Sequence, residues 1–313
     1  MTSPSDAMPE AEAAATPTAP SVAPAPVSPM QRFYWSVRRE LWESRSIYIA
    51  PLVVSALFLL GFLISTRSLP RKYVELSALD PARQAARLAI PFEVAAMALI
   101  VISFIVGMFY CLGALHNERR DRSVLFWKSL PVSDLTVVLS KAFVPLVILP
   151  AVTFVVALAT NVIMLVWSTL VLLANGLSVT ALWSVPLLQM EGVLFYALIV
   201  LALWHAPVYG WLLLVSGWAK RAPFLWAVLP PAGLALVEGV AFESSHIAHT
   251  ISGRLFSAGD QAFDLNAPGV ALDPLRSLDP VRFLSSPDLW LGLVVAVGFT
   301  AGAIWLRRRR EPI

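Results

Sequence analysis

Residues 168–190 read STLVLLANGLSVTALWSVPLLQM, and whether this stretch crosses a membrane decides how many times the chain does. It is apolar enough to suggest a crossing. Asn175-Gly176 nevertheless breaks it with a turn signal. A crossing here would also put Lys220, Arg221 and Arg307–Arg310 outside, against the tendency of Lys and Arg to stay on the inner side. The stretch therefore reads as an extension of the preceding span plus a segment lying at the outer surface.

Composition agrees with a membrane setting. Of the 313 residues, 58% are hydrophobic and only 14% charged, and mean hydropathy is +0.73. A soluble domain is nearer half apolar and a quarter charged. Runs long enough to cross a bilayer lie at about 47–65, 92–115, 137–167, 192–218, 224–242 and 289–306. The expected fold is an all-α polytopic membrane protein with six transmembrane helices. Most of the 23 Lys and Arg fall inside when both termini are cytoplasmic, and Arg307–Arg310 against the last span is the strongest vote. A net charge of +3 gives nucleic-acid binding no support. The single cysteine, Cys111, excludes an intrachain disulfide.

Outside the spans the chain divides by composition. Residues 1–30 are Ala/Pro-rich, with neither the basic start nor the apolar middle of a signal peptide, and read as a disordered cytoplasmic tail. Residues 31–46 place Phe33, Val37 and Leu41 at helical spacing, widened by Tyr34, Trp35 and Trp42, with Arg32, Arg39 and Glu40 opposite. This is an amphipathic helix suited to the membrane interface. Residues 47–306 form the transmembrane domain, and 307–313 a basic cytoplasmic tail. Asp80-Pro81 reads as an N-cap and first helical position ahead of the second span. Residues 243–288 form an outer excursion before the last span.

Chemistry is scarce. The sequence holds no nucleophile elbow, no His-Glu-x-x-His and no convergent catalytic set, so the chain is not expected to be an enzyme. Glu243, His246 and His249 have a spacing that fits part of a metal site, but an ordinary surface helix explains them better, and no metal is expected. His205 and Glu238 are the ionisable residues most clearly inside spans and are the candidates for lining a pathway. Pro207 beside His205 marks a kink that frees backbone groups. Gly298-x-x-x-Gly302 permits close helix packing. No Gly-x-x-x-x-Gly-Lys-Ser/Thr is present, so any nucleotide energy must come from another chain.

Residues 117–134, NERRDRSVLFWKSLPVSD, interrupt the apolar sequence with a knot of charge and two aromatics. A short helix over about 123–130, capped by Asp121 or Ser123 and ended by Pro131, would put Phe126, Trp127 and Leu130 on one face with Val124 at its edge. Exposed aromatic anchors rimmed by charge suit a pocket on a partner.

Glu118-Arg119-Arg120, the helix through Leu130, Pro131-Val132-Ser133 and Lys141 resemble the loop between spans two and three of ABC-2-type permeases, the membrane subunits of ABC exporters. The chain departs from that pattern with Asp121-Arg122-Ser123 in place of Gly-Thr, and with Ser140 before Lys141. The resemblance covers about 31–306, but only the loop is motif-specific. It implies a cytoplasmic coupling helix in which Glu118, Arg122, Val124, Phe126, Trp127, Leu130 and Pro131 meet a separate ATPase subunit. It also implies two ATPase copies carrying ATP and Mg, a second permease or homologue, a bacterial inner membrane, and no cofactor on this chain. The competing reading is a secondary, ion-coupled transporter, for which His205 and Glu238 are thin material. A membrane enzyme or scaffold comes third. The substrate is not legible, although the many spanning tryptophans fit an amphipathic cargo.

Overall fold

The computed structural model describes residues 28–121, 132–264 and 273–309. The expected coupling helix lies outside the described residues, together with Arg122, Val124, Phe126, Trp127, Leu130, Pro131 and Arg310. Among the described residues the chain is all-α, with one isolated bridge between Phe263 and Leu278 in place of any strand. Six helical segments are long and apolar enough to cross a membrane: Ser46–Leu76, Pro81–Arg120, Asp134–Ala174, Thr180–Trp204, Pro223–Phe242 and Pro287–Arg309.

Helix α1, Pro29–Glu43, begins on a capping box in which Ser28 and Gln31 satisfy each other's backbone N–H groups, with Pro29 in the first turn. It buries Val37 and Glu40 and exposes Tyr34, Trp35 and Trp42. Arg38 lies 5.0 Å from the ring centres of both Trp35 and Trp42. A turn at Ser44 leads into α2, Ser46–Ser65, and a 3-10 turn leads from there into α3, Leu69–Leu76.

Asp80 caps the next helix by accepting from the Arg83 N–H at 3.0 Å. With that cap in place, α4 runs unbroken from Pro81 to Ala114, well before the apolar onset expected at 92. Helix α5, His116–Arg120, continues it. The third span consists of α6, Asp134–Phe143, a π-helical turn, Val144–Ile148, and α7, Leu149–Ala174.

The stretch at 168–190 resolves into the end of α7, a turn with Gly176 at φ 69°, the four-residue α8, Thr180–Trp183, and the first turn of the helix that begins at Leu187. A left-handed φ is the reason a glycine stands there. The fourth span was expected at 192–218. It starts earlier, as α9, Leu187–Trp204, and breaks at His205 before α10, Ala206–Trp218. Pro207 cannot donate to the turn before it, which explains the break.

Helix α11, Pro223–Phe242, is followed by α12, His246–Phe256, and α13, Ala258–Ala262. A 3-10 turn, Pro274–Ser277, and α14, Pro280–Ser285, lead to α15, Pro287–Arg309.

A cluster around Ile47, Cys111, Val144, Leu213 and Val215 ties α2, α4, the π turn and α10 together. Burying apolar area stabilises little in lipid, because the surrounding tails are as apolar as the core, so close approach matters more. A close backbone approach joins α10 to α15 at Gly210, where a Cβ would meet the Ala296 carbonyl oxygen at 3.1 Å. Gly302 touches Leu214 of α10, whereas Gly298 has nothing within 4 Å. The expected Gly298/Gly302 pair therefore splits. One glycine packs within the chain and the other faces open space.

Gly210→Val should force α10 from α15 and cost about 1–3 kcal/mol. Gly298→Ala should leave stability unchanged. Thermal unfolding of the two variants in detergent tests the contrast, and equal melting temperatures would contradict it.

Candidate functional site

Four segments far apart in sequence meet at one end of the bundle: α1, α5, the start of α6 and the end of α15. Each brings charge. Glu118 enters on α5, directly after the long α4, and its carboxylate pairs with Arg39 of α1, Lys141 of α6 and Arg307 of α15. Lys141 sits 3.0 Å from Glu118 and 2.9 and 3.0 Å from the two oxygens of Glu40. Tyr110 donates to Glu40 at 2.8 Å, and Arg307 donates to Asp134 at 3.0 Å. Only 1% of Lys141 and 2% of Glu40 is exposed, so these pairs are screened far less than surface charges would be.

Burial of several charges is tolerated only where each finds partners. Here each carboxylate has at least one cation, and Glu118 has three. Burial pushes the Glu43 carboxyl up, opposed by Arg39 and reinforced by Glu40 and Glu118. Glu43 stands at the rim of a polar cavity of about 600 Å³ lined also by Glu40, Arg45, Tyr110, Asn117, Glu118 and Lys141. Ligand oxygens of Glu40, Glu43 and Glu118 lie within 4.8 Å of one another. Lys141 pairs with Glu40 and Glu118 there, and Arg39 with all three.

Helix α5 is also bolted to the end of α10. Ser216 Oγ accepts from the Leu115 and His116 N–H groups, each at 2.9 Å. Arg119 donates to the Gly217 carbonyl at 2.8 Å, and the His116 ring lies 3.2 Å from the Ala219 carbonyl. Cationic donors on the last carbonyls of a helix complement its dipole. The described chain thus leaves one anchored helix at Asp121 and enters another at Asp134.

Of the site residues expected from sequence, Glu118 is at the heart of this network. The rest of the expected ATPase-contacting set lies outside the described residues. His205 and Glu238 are elsewhere and apart from each other. The His205 Nδ1 is 2.8 Å from the Leu201 carbonyl and its ring stacks 4.5 Å from Phe104. It borders an apolar cavity of about 290 Å³ with Ser103, Phe104, Tyr209 and Phe256. Glu238 accepts from Ser244 Oγ at 2.8 Å and from the His246 and Ile247 N–H groups at 2.9 and 2.7 Å. Its carboxylate caps the start of α12.

Sequence reasoning did not place Arg39, Glu40, Tyr110, Asp134 and Arg307 in a site. The available signal was Lys141, a lysine one helical turn inside an apolar span. Comparison of the chain with protein-family models, with curated proteins and with solved structures gave no match.

Proposed function

We propose that this chain is the membrane subunit of an ATP-driven exporter of the ABC-2 kind, forming the translocation path and coupling to a separate ATPase. The observation that carries the reading is the network holding both ends of loop 121–133. Glu118, before it, pairs with both α1 and α15, while after it Asp134 pairs with α15 and Lys141 with α1 and Glu118. A push on the loop would therefore reach four helices through short, buried ion pairs rather than through slack side chains. The amphipathic α1, with its exposed tryptophans, suits the inner membrane surface, and both termini are then cytoplasmic. Two permeases and two ATPases would make the complex, in a bacterial inner membrane. When the ATPases close on ATP, the ends of the second and third spans move as a rigid body, and the inner opening shuts while the outer side opens.

The test is affinity purification of the full chain from its native host in mild detergent, beside a variant carrying both Phe126→Ala and Trp127→Ala. An ATPase subunit is expected with the wild type and is expected to be lost, or to hydrolyse ATP without stimulation, with the variant. An ATPase in neither preparation would overturn the reading.

A further inference from the structure

Helices α7 and α9 meet at a buried acid–amide contact that none of the preceding roles uses. Asn161 Nδ2 donates to Glu191 Oε1 at 2.7 Å. Both residues are more than nine-tenths buried, at 6% and 8% exposure. The two oxygens left over, Asn161 Oδ1 and Glu191 Oε2, are shut away from solvent and have no hydrogen-bond partner among the described residues.

The surroundings are apolar on both sides. Leu194 and Leu198 of α9 pack with Val156, Ala157 and Leu99 toward one end. Toward the other, Leu187 and Met190 pack with Phe92, Ala95 and Met164. Leu187 and Leu194 stand four before and three after Glu191, and Ala157 and Met164 four before and three after Asn161, so these four flank the contact directly.

Among the described residues Glu191 also has no ion-pair partner. Helix α7 has no ionisable residue, and neither does the π turn. Helix α4 offers Phe92, Ala95 and Leu99, while its Arg87 and Glu93 are exposed. The 3-10 turn at Pro274–Ser277 sets Leu275 against Gly192, and its Arg276 pairs with Asp273. Asp260 of α13 and Asp288 of α15 are exposed. Tyr196 is on α9 itself, and Tyr209 of α10 packs beside His205 and Phe104.

A carboxylate with only a neutral amide for company would be costly here. One added atom removes the difficulty. A proton on Oε2 makes that oxygen a donor, and Asn161 Oδ1 becomes its acceptor in a two-bond acid–amide pair. We propose that Glu191, held by Asn161, is a proton-binding site within the membrane, and that the α7–α9 contact is closed only while the proton is bound. Release of the proton to water requires the two helices to part. The inference stands apart from the exporter reading, since it rests on other helices.

Infrared difference spectroscopy of the full chain in lipid, wild type minus Glu191→Gln, reads the protonation state without any reagent having to reach the site. A protonated-carboxyl C=O band is expected at neutral pH, absent from the variant and shifted to higher frequency by Asn161→Leu, which removes its partner. Glu191→Gln is expected to melt no lower than wild type, because it copies the shape of the protonated acid. A carboxylate band at neutral pH would overturn the proposal. Replacing choline chloride by sodium chloride should change nothing. If sodium converts the band to carboxylate, the site holds a metal cation and the proton assignment fails.

Discussion

Lys141→Met is expected to destabilise the protein by about 3–5 kcal/mol, the usual cost of removing one partner from a buried ion pair. The lysine bridges Glu40 and Glu118, and its loss removes the more deeply buried of the two cations they share. Glu40 suffers more. It keeps the Tyr110 hydroxyl and a side contact to Arg39, whereas Glu118 keeps Arg39 and Arg307. Adding Glu40→Met to Lys141→Met should therefore recover part of the loss, because the stranded charge goes with it. Thermal unfolding in detergent measures all three proteins. A single-variant loss below about 1 kcal/mol, the range of exposed surface pairs, would mean that water reaches the network after all.

Glu118→Leu should cost at least as much, again about 3–5 kcal/mol, and for the opposite reason. It strands Arg39, Lys141 and Arg307 around an apolar side chain, three like charges where one anion had gathered them. Arg307 at the foot of α15 loses its tie to α5 and keeps its pairing with Asp134. Trypsin should then cut after Arg307 faster than in the wild type, where that residue is 8% exposed. Glu118→Gln keeps the shape and two acceptor or donor positions, so it should fall between. Because the pairs are buried, raising salt should not erase the order of the three proteins. Wild-type trypsin sensitivity in Glu118→Leu would detach α15 from the network.

What sequence made legible was local. The Asp80-Pro81 cap and the Asn175-Gly176 turn are read from adjacent residues, and both stand where they were expected. Six apolar runs long enough to cross a membrane were equally plain. The network was not, since its pairs between helices are separated by 23 to 189 positions and nothing in one segment names the other. Glu191 escaped for a simpler reason. The fourth span was expected from 192, and a helix onset is hard to place where apolar residues run continuously through it. Glu238 was read as a charge inside a span, although a carboxylate one turn from a helix end can serve the next helix as its cap. The break at His205 was half visible, because Pro207 announced a kink without saying that the helix would stop.

The π-helical turn at Val144–Ile148 has a mechanical meaning. In an unbroken α-helix, Lys141 and Thr153 would point about 120° apart. The extra residue absorbed by the wider turn takes back roughly 100°, and both side chains end on the buried side, at 1% and 0% exposure. The third span is thus two rods joined by a collar that offsets one against the other by about one residue. Load arriving at Lys141 would travel up this rod as torque. Its upper half, carrying Thr153, Thr160 and Asn161, would answer by turning about its own axis rather than by tilting.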